Sequence, residues 1–190
     1  MKQHLRIHKA EPNRGILDYS HLLDAPAGKH GFVKTMNGHL YFEDGTRARF
    51  LGFNVATRSN TPDHETADKM AERFASMGVN IIRLHAADAP VGEEPRSWSS
   101  CKEAPLLDYA GGSSRKFNPE GLDRFDYFAA KLKEKGIYLH IDLIVAREFL
   151  PGDDLDYPGG APSCIKRYAM YNERLIQLQK EYAKELLCHV

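Results

Sequence analysis

Two short apolar runs each carry a pair of residues able to do chemistry. In "VNIIRLHAA" the pair is Arg83 and His85, and in "GIYLHIDLIVAREF" it is His140 and Asp142. Residues two apart on a strand share a face. Each run would therefore deliver its pair to one side of a sheet. The chemistry on offer is that of a permanently charged guanidinium, an imidazole that titrates near neutrality and a carboxylate. Such groups hold charge, orient one another or move protons. His140 lies deeper in its run than Asp142 and is expected to be a buried histidine bonded to a neighbouring strand. Asp142, nearer the end, is placed to orient His85 or Arg83. Two ligands fall below the three or four of a zinc site, and no other spacing supplies them, so no metal and no cofactor is expected.

The elements that position these residues follow from periodicity and punctuation. Residues 1–37 are polar, turn-rich and irregular, and read as an N-terminal arm packed on the rest of the chain. "GHLYFEDGTRARFLGFNV" then places Asp44-Gly45 between two strand-forming runs, which predicts a tight hairpin. "NTPDHETADKMAERFASMG" predicts a helix with Asn60 or Thr61 as cap, Pro62 in the first turn and Gly78 as stop. Its apolar stripe is Ala67, Met70, Ala71, Phe74 and Met77. "NPEGLDRFDYFAAKLKEKG" repeats the design, with Asn118 capping, Leu122, Phe125, Ala129 and Leu132 on one face, and Gly136 as terminator. A last helix is expected over residues 167–187, with Leu175, Leu178, Tyr182 and Leu186 in register.

The resulting order, hairpin then β, α, β, α, β, α, implies parallel strands joined by helical crossovers. Each helix-to-strand joint is one glycine, whereas the strand-to-helix joints span roughly residues 87–117 and 146–166, so all the elaboration lies at one end of the strands. Barrels with active sites at strand C-termini have this asymmetry, and so do open doubly wound sheets. Register discriminates between them. Ile137, Leu139, Ile141, Leu143 and Val145 share one face of the third strand; Tyr138, His140, Asp142 and Ile144 share the other. A sheet covered by helices on both sides reads apolar on both. A polar second face fits a barrel interior near its mouth.

Composition excludes several classes. With 42% hydrophobic residues in 190, the chain can build one core, and its 26 basic and 26 acidic residues cancel. No basic stripe offers itself to a nucleic-acid backbone. No stretch approaches the roughly 20 apolar residues of a membrane helix, and "MKQHLRIHKAEPNR" lacks the apolar core of a secretory signal. As given, the chain is expected to be cytoplasmic, with neither nucleic acid nor membrane as partner. Cys101, Cys164 and Cys188 are odd in number and widely spaced, and read as reduced thiols.

Taken together, the hairpin motif, Gly52-x-Asn54 closing the first strand, "ASMGVNIIRLH" with Arg83 near the end of the second, and the Asn-Pro-Glu helix leading into "GIYLHIDL" resemble the N-terminal half of glycoside hydrolase family 5. This is the cellulase and mannanase group of retaining (β/α)8, or TIM, barrel enzymes. The similarity covers about residues 38–187. It implies an α/β fold: a partial TIM barrel of about the first three βα units, preceded by a β-hairpin and the arm, with residues 38–190 as the N-terminal portion of a glycosidase-like domain. Retaining hydrolysis needs two glutamates about 5–5.5 Å apart, which the resemblance places on the fourth and seventh strands, outside three βα units. The only Asn-Glu pair, Asn172-Glu173, falls in an expected helix. The family's third strand commonly ends Asp-Leu-His; here it reads Asp142-Leu143-Ile144, which marks a divergent branch.

The resemblance gives Arg83 a supporting role, contacting the nucleophile carboxylate and keeping it ionised; a structural ion pair at the strand end is the other reading. His85 would bond a sugar hydroxyl or a loop carbonyl. Asn54 is either a donor behind the site or a strand terminator. Trp98, in "EEPRSWSSC", would stack on a pyranose ring or anchor its own loop. Substrate binding is thus expected of His85, Trp98, Asn54 and Asp142, with a β-linked poly- or oligosaccharide as ligand. Without the two glutamates the chain is expected to be an inactive fragment by itself. The alternative is a non-catalytic carbohydrate-binding or interaction module, its barrel completed by a complementary chain or by homo-oligomerisation.

Overall fold

The computed structural model describes residues 12–90, 104–156 and 165–189. In chain order these form β1 (Val33–Met36), β2 (His39–Phe42), β3 (Gly52–Ala56), α1 (His64–Ser76), β4 (Ile81–His85), β5 (Leu107–Asp108), β6 (Lys116–Phe117), α2 (Pro119–Glu134), β7 (Tyr138–Ile141) and α3 (Glu173–Cys188). The fold is mixed α/β: β3, β4 and β7 form a parallel sheet in that order, with α1 and α2 as the crossovers. The chain divides into two compact units. One comprises Met1–Phe53, Asp63–Ile82 and Tyr127–Leu139; the other comprises Asn54–Pro62, Arg83–Asp126 and His140–Val190.

In the first unit the hairpin differs from expectation. Its two-residue turn is Asn37-Gly38, both at positive φ (51° and 74°), as a type I′ turn demands. Val33 pairs with Phe42 and Met36 with His39 across it, so a strand lies within the expected arm. Asp44-Gly45 does turn the chain, with Phe42 N donating to Thr46 O at 2.9 Å. Asp44 Oδ1, however, accepts from Thr46 N at 2.9 Å, and the returning segment makes a single bridge, Tyr41 to Arg47. A local side-chain bond there competes with the ladder.

The arm is tied to the helix ends. Tyr19 N donates to Ser76 O (3.0 Å) and Ala27 N to Lys133 O (2.9 Å), while Asn13 N donates to Ser76 Oγ (2.9 Å). His30 bonds Asp24 and Asp44 through both ring nitrogens, which requires the imidazolium; the bonds to Asp24 and then Asp44 hold its pKa above the usual 6.5. Phe42, Phe50 and Tyr138 pack as an aromatic trio with ring centroids 5.5–6.2 Å apart.

Helix α1 starts later than expected, at Asp63, whose carboxylate accepts from Thr66 N at 2.7 Å. Ala67 and Ala71 of the expected stripe are fully buried, whereas Met70, Phe74 and Met77 are only partly so. Gly78 and Gly136 both end their helices at positive φ, the conformation glycine adopts at least cost. Gly52 has a different reason to be glycine: a Cβ there would lie 2.5 Å from Ile81 O of the neighbouring strand. Gly52→Ala is therefore expected to cost about 1–3 kcal/mol by overpacking, read as a lower urea midpoint with unchanged slope.

In the second unit Asn118 caps α2, its Oδ1 accepting from Glu120 N at 3.0 Å. Helix α3 starts at Asn172, which accepts from Leu175 N at 2.9 Å, and buries Leu175, Leu178, Tyr182 and Leu186 as expected. The segment Ile165–Tyr168 before it is a separate 3-10 turn. Strand β7 stops at Ile141, so Leu143, Ile144 and Val145 are not strand residues. The cause is visible in the next residues: the amides of Val145 and Ala146 are taken by a side chain, Asp88, rather than by a ladder.

Candidate functional site

Alternation on β4 buries Ile82 and Leu84 on one side and leaves Arg83 and His85 on the other. Asp142 follows β7, and its backbone N donates to Leu84 O at 3.3 Å, which brings its side chain to the same place. Arg83 grips it as a fork, Nε to Oδ1 at 3.1 Å and Nη2 to Oδ2 at 2.6 Å. His85 Nδ1 lies 2.7 Å from Oδ2. An ionised carboxylate only accepts, so this nitrogen carries the proton. Asp142 is thus shared by a guanidinium and an imidazole at the C-terminal ends of parallel strands.

The Asp142 side chain is 12% exposed and that of Arg83 46%. Burial pushes the Asp142 pKa up, but the bonds from Arg83 and His85 and their charges outweigh it, and the net displacement is below the usual 3.8. Asp142 is consequently an ionised orienting group at neutral pH, not a proton donor. His140 contradicts its expectation of burial. Its side chain is 61% exposed, with Nε2 at 3.6 Å from Asp142 Oδ1; the described sheet has three strands, and no further strand covers this edge of β7.

Asn54 is exposed on β3 and forms no hydrogen bond with the three clustered residues among those described. Trp98 lies outside the described residues. Among the described residues no group of three or more His, Cys, Asp or Glu is placed to hold a metal ion, and no helix is long and apolar enough to cross a membrane.

Behind the cluster is a buried polar layer that sequence reasoning did not anticipate. Asn60, expected as a helix cap, instead donates from Nδ2 to His85 O at 2.7 Å. Ala86, directly after His85, is buried at φ 56°, a conformation uncommon without glycine. Asp88 is fully buried and accepts from Val145 N (2.7 Å) and Ala146 N (2.9 Å), while its carbonyl accepts from the Tyr109 hydroxyl (2.9 Å). Burial, then the Asp88 charge, pushes the Tyr109 pKa up. Further out, Arg147 donates to Ser114 Oγ and O (both 2.9 Å) and to Leu178 O (3.1 Å). Asp153, also fully buried, accepts from Leu150 N (2.8 Å), Ser114 N (3.0 Å) and Ser113 Oγ (3.0 Å).

The class defined by these features is an α/β protein of parallel βα units with a polar Arg-Asp-His cluster at the strand C-termini. Two solved structures are similar to it over part of their length. One is a glycoside hydrolase family 5 protein from Bacteroides vulgatus, with TM-score 0.45 and 14% identity, covering 64% of this chain and 26% of that one. The other is described as a glycoside hydrolase, with TM-score 0.45 and 18% identity, covering 64% of this chain and 27% of that one. The chain thus spans about a quarter of the length of either. No protein-family model matches the sequence, and no curated protein does.

Proposed function

We propose that this chain is the N-terminal part of a retaining glycoside hydrolase acting on a β-linked poly- or oligosaccharide. The observation that carries the reading is the Arg83–Asp142–His85 cluster. Arg83 sits where the sequence motifs of family 5 put a supporting arginine, and Asp142 holds it by Nε and Nη2. That leaves Nη1 to face a second carboxylate, the nucleophile, whose ionised state a fixed charge would favour. His85, oriented by Asp142, would meet a sugar hydroxyl. The two glutamates the reaction requires would come from further βα units of a (β/α)8 barrel, on the same chain or a complementary one.

The test is an assay on aryl β-glycosides. The chain alone is expected to give no turnover, and the chain supplied with the remaining βα units is expected to turn over with retention of anomeric configuration, followed by proton NMR. Turnover by this chain alone, or inversion by the assembled enzyme, would overturn the proposal. Oligosaccharide binding with no turnover in either form would favour a non-catalytic carbohydrate-binding module.

A further inference from the structure

Away from the Arg83 cluster the second unit holds a cleft of about 620 Å³, lined by the β5–β6 hairpin, the loop after β7 and one face of α3. Its walls include Ser113, Ser114, Lys116, Arg147 and Tyr182, with Glu185 also among the lining residues.

Three observations bear on what would fill it. Arg147 is 5% exposed and makes three hydrogen bonds, to Ser114 Oγ, Ser114 O and Leu178 O, all neutral acceptors. It forms no ion pair among the described residues. Its guanidinium has five N–H groups, so two are left over, and a buried cation without a partner is costly. The rings of Phe149 (5.1 Å) and Tyr182 (5.5 Å) offset part of that cost. Second, the Tyr182 hydroxyl is buried without a hydrogen-bond partner among the described residues, an uncommon state for such a group.

Third, the nearby carboxylates other than Glu185 are already committed, Asp88 to the amides of Val145 and Ala146. Glu181 is already engaged by Arg115 Nε at 3.0 Å and by Arg174 Nη1 at 3.6 Å. Asp153, the acid nearest the Ser113–Ser114 wall, spends its oxygens on Ser113 Oγ and the amides of Ser114 and Leu150. Lys116 and Glu185 are both exposed.

We propose that this cleft binds a compact oxyanion carried on a polyhydroxylated body of monosaccharide size, a sugar acid or a sugar phosphate. The oxyanion would take the two remaining N–H groups of Arg147 and the ammonium of Lys116. Glu185 would accept from ligand hydroxyls. The proposal is independent of the glycosidase reading, because none of its residues belongs to the Arg83 cluster.

The test is a ¹⁵N–¹H NMR titration of the full chain with inorganic phosphate, glucuronate and glucose, each against a matched chloride control. Phosphate, glucuronate or both are expected to shift the amides of residues 113–116 and 181–185, and glucose is not. A response to phosphate alone would point to a sugar phosphate, and one to glucuronate to a sugar acid. Lys116→Glu, a surface change, is expected to weaken the response about tenfold, the order expected from reversing one charge in a partly desolvated site. Arg147→Gln is expected to abolish it; should that variant fail to fold, Lys116→Glu carries the test alone. No shift with either anion, shifts elsewhere, shifts equal with glucose, or a titration indifferent to Lys116→Glu would each overturn the proposal.

Discussion

Replacing Asp88 by alanine is expected to lower the unfolding free energy by about 3 kcal/mol, because it strips the acceptor from two part-buried amides and empties a fully buried position. Asp88 is fully buried, and its carboxylate satisfies Val145 N at 2.7 Å and Ala146 N at 2.9 Å. It follows β4 by three residues, and the amides it holds follow Asp142 by three and four, so it fastens together the two segments that carry Arg83, His85 and Asp142. Asp88→Asn should fall between wild type and alanine, since one amide oxygen can still accept from one of the two donors. Equilibrium urea denaturation reads both. A loss under about 1 kcal/mol for the alanine variant would mean that the amides find water or that the loop rearranges at small cost.

The difference between what the sequence made legible and what it hid follows the range of the interactions. Local signals served well. Asn118 before Pro119, and Gly78 and Gly136 after their helices, act within one turn of chain, and the structure uses them as their chemistry suggests. Alternation around Arg83 and His85 likewise appears as the burial of Ile82 and Leu84.

Where a side chain had two possible uses, one of them distant, pattern could not choose. Asn60 is a good cap by type, but its amide is used on the His85 carbonyl 25 positions away, and Asp63 caps the helix instead. The period-2 pattern running on through Val145 was misleading for the same reason: Asp88, 57 positions earlier, supplies the hydrogen bonds that end the strand. Asn37-Gly38 and Asp44-Gly45 are both turn-forming by type and both turn the chain, but only the first is followed by a paired strand. Arg147, Ser114 and Asp153 gave no motif because their partnership exists only in the fold.

Removing the carboxylate at Asp142 should have a modest effect on stability and a large one on function. Arg83 is 46% exposed, so solvent screens the pair, and Asp142→Ala is expected to cost only about 1 kcal/mol. The pH dependence fixes the sign. The folded pKa of Asp142 lies below its ordinary value of 3.8, so its contribution is fully present above pH 3.8 and is lost as pH falls through the folded value. The part of the gap in unfolding free energy between wild type and Asp142→Ala that comes from this carboxylate should therefore close as pH falls below 3.8. On the glycosidase reading, the assembled enzyme responds differently. Arg83 loses the fork that sets its direction and His85 loses the acceptor that fixes its tautomer. Misplacement of this kind costs on the order of 10²-fold in rate, expected mainly in kcat with KM changed far less. Asp142→Asn should recover part of it, because its amide oxygen still accepts from one of the two. A kcat unchanged in Asp142→Ala would place Arg83 among ordinary structural ion pairs and would remove the one observation on which the catalytic reading stands.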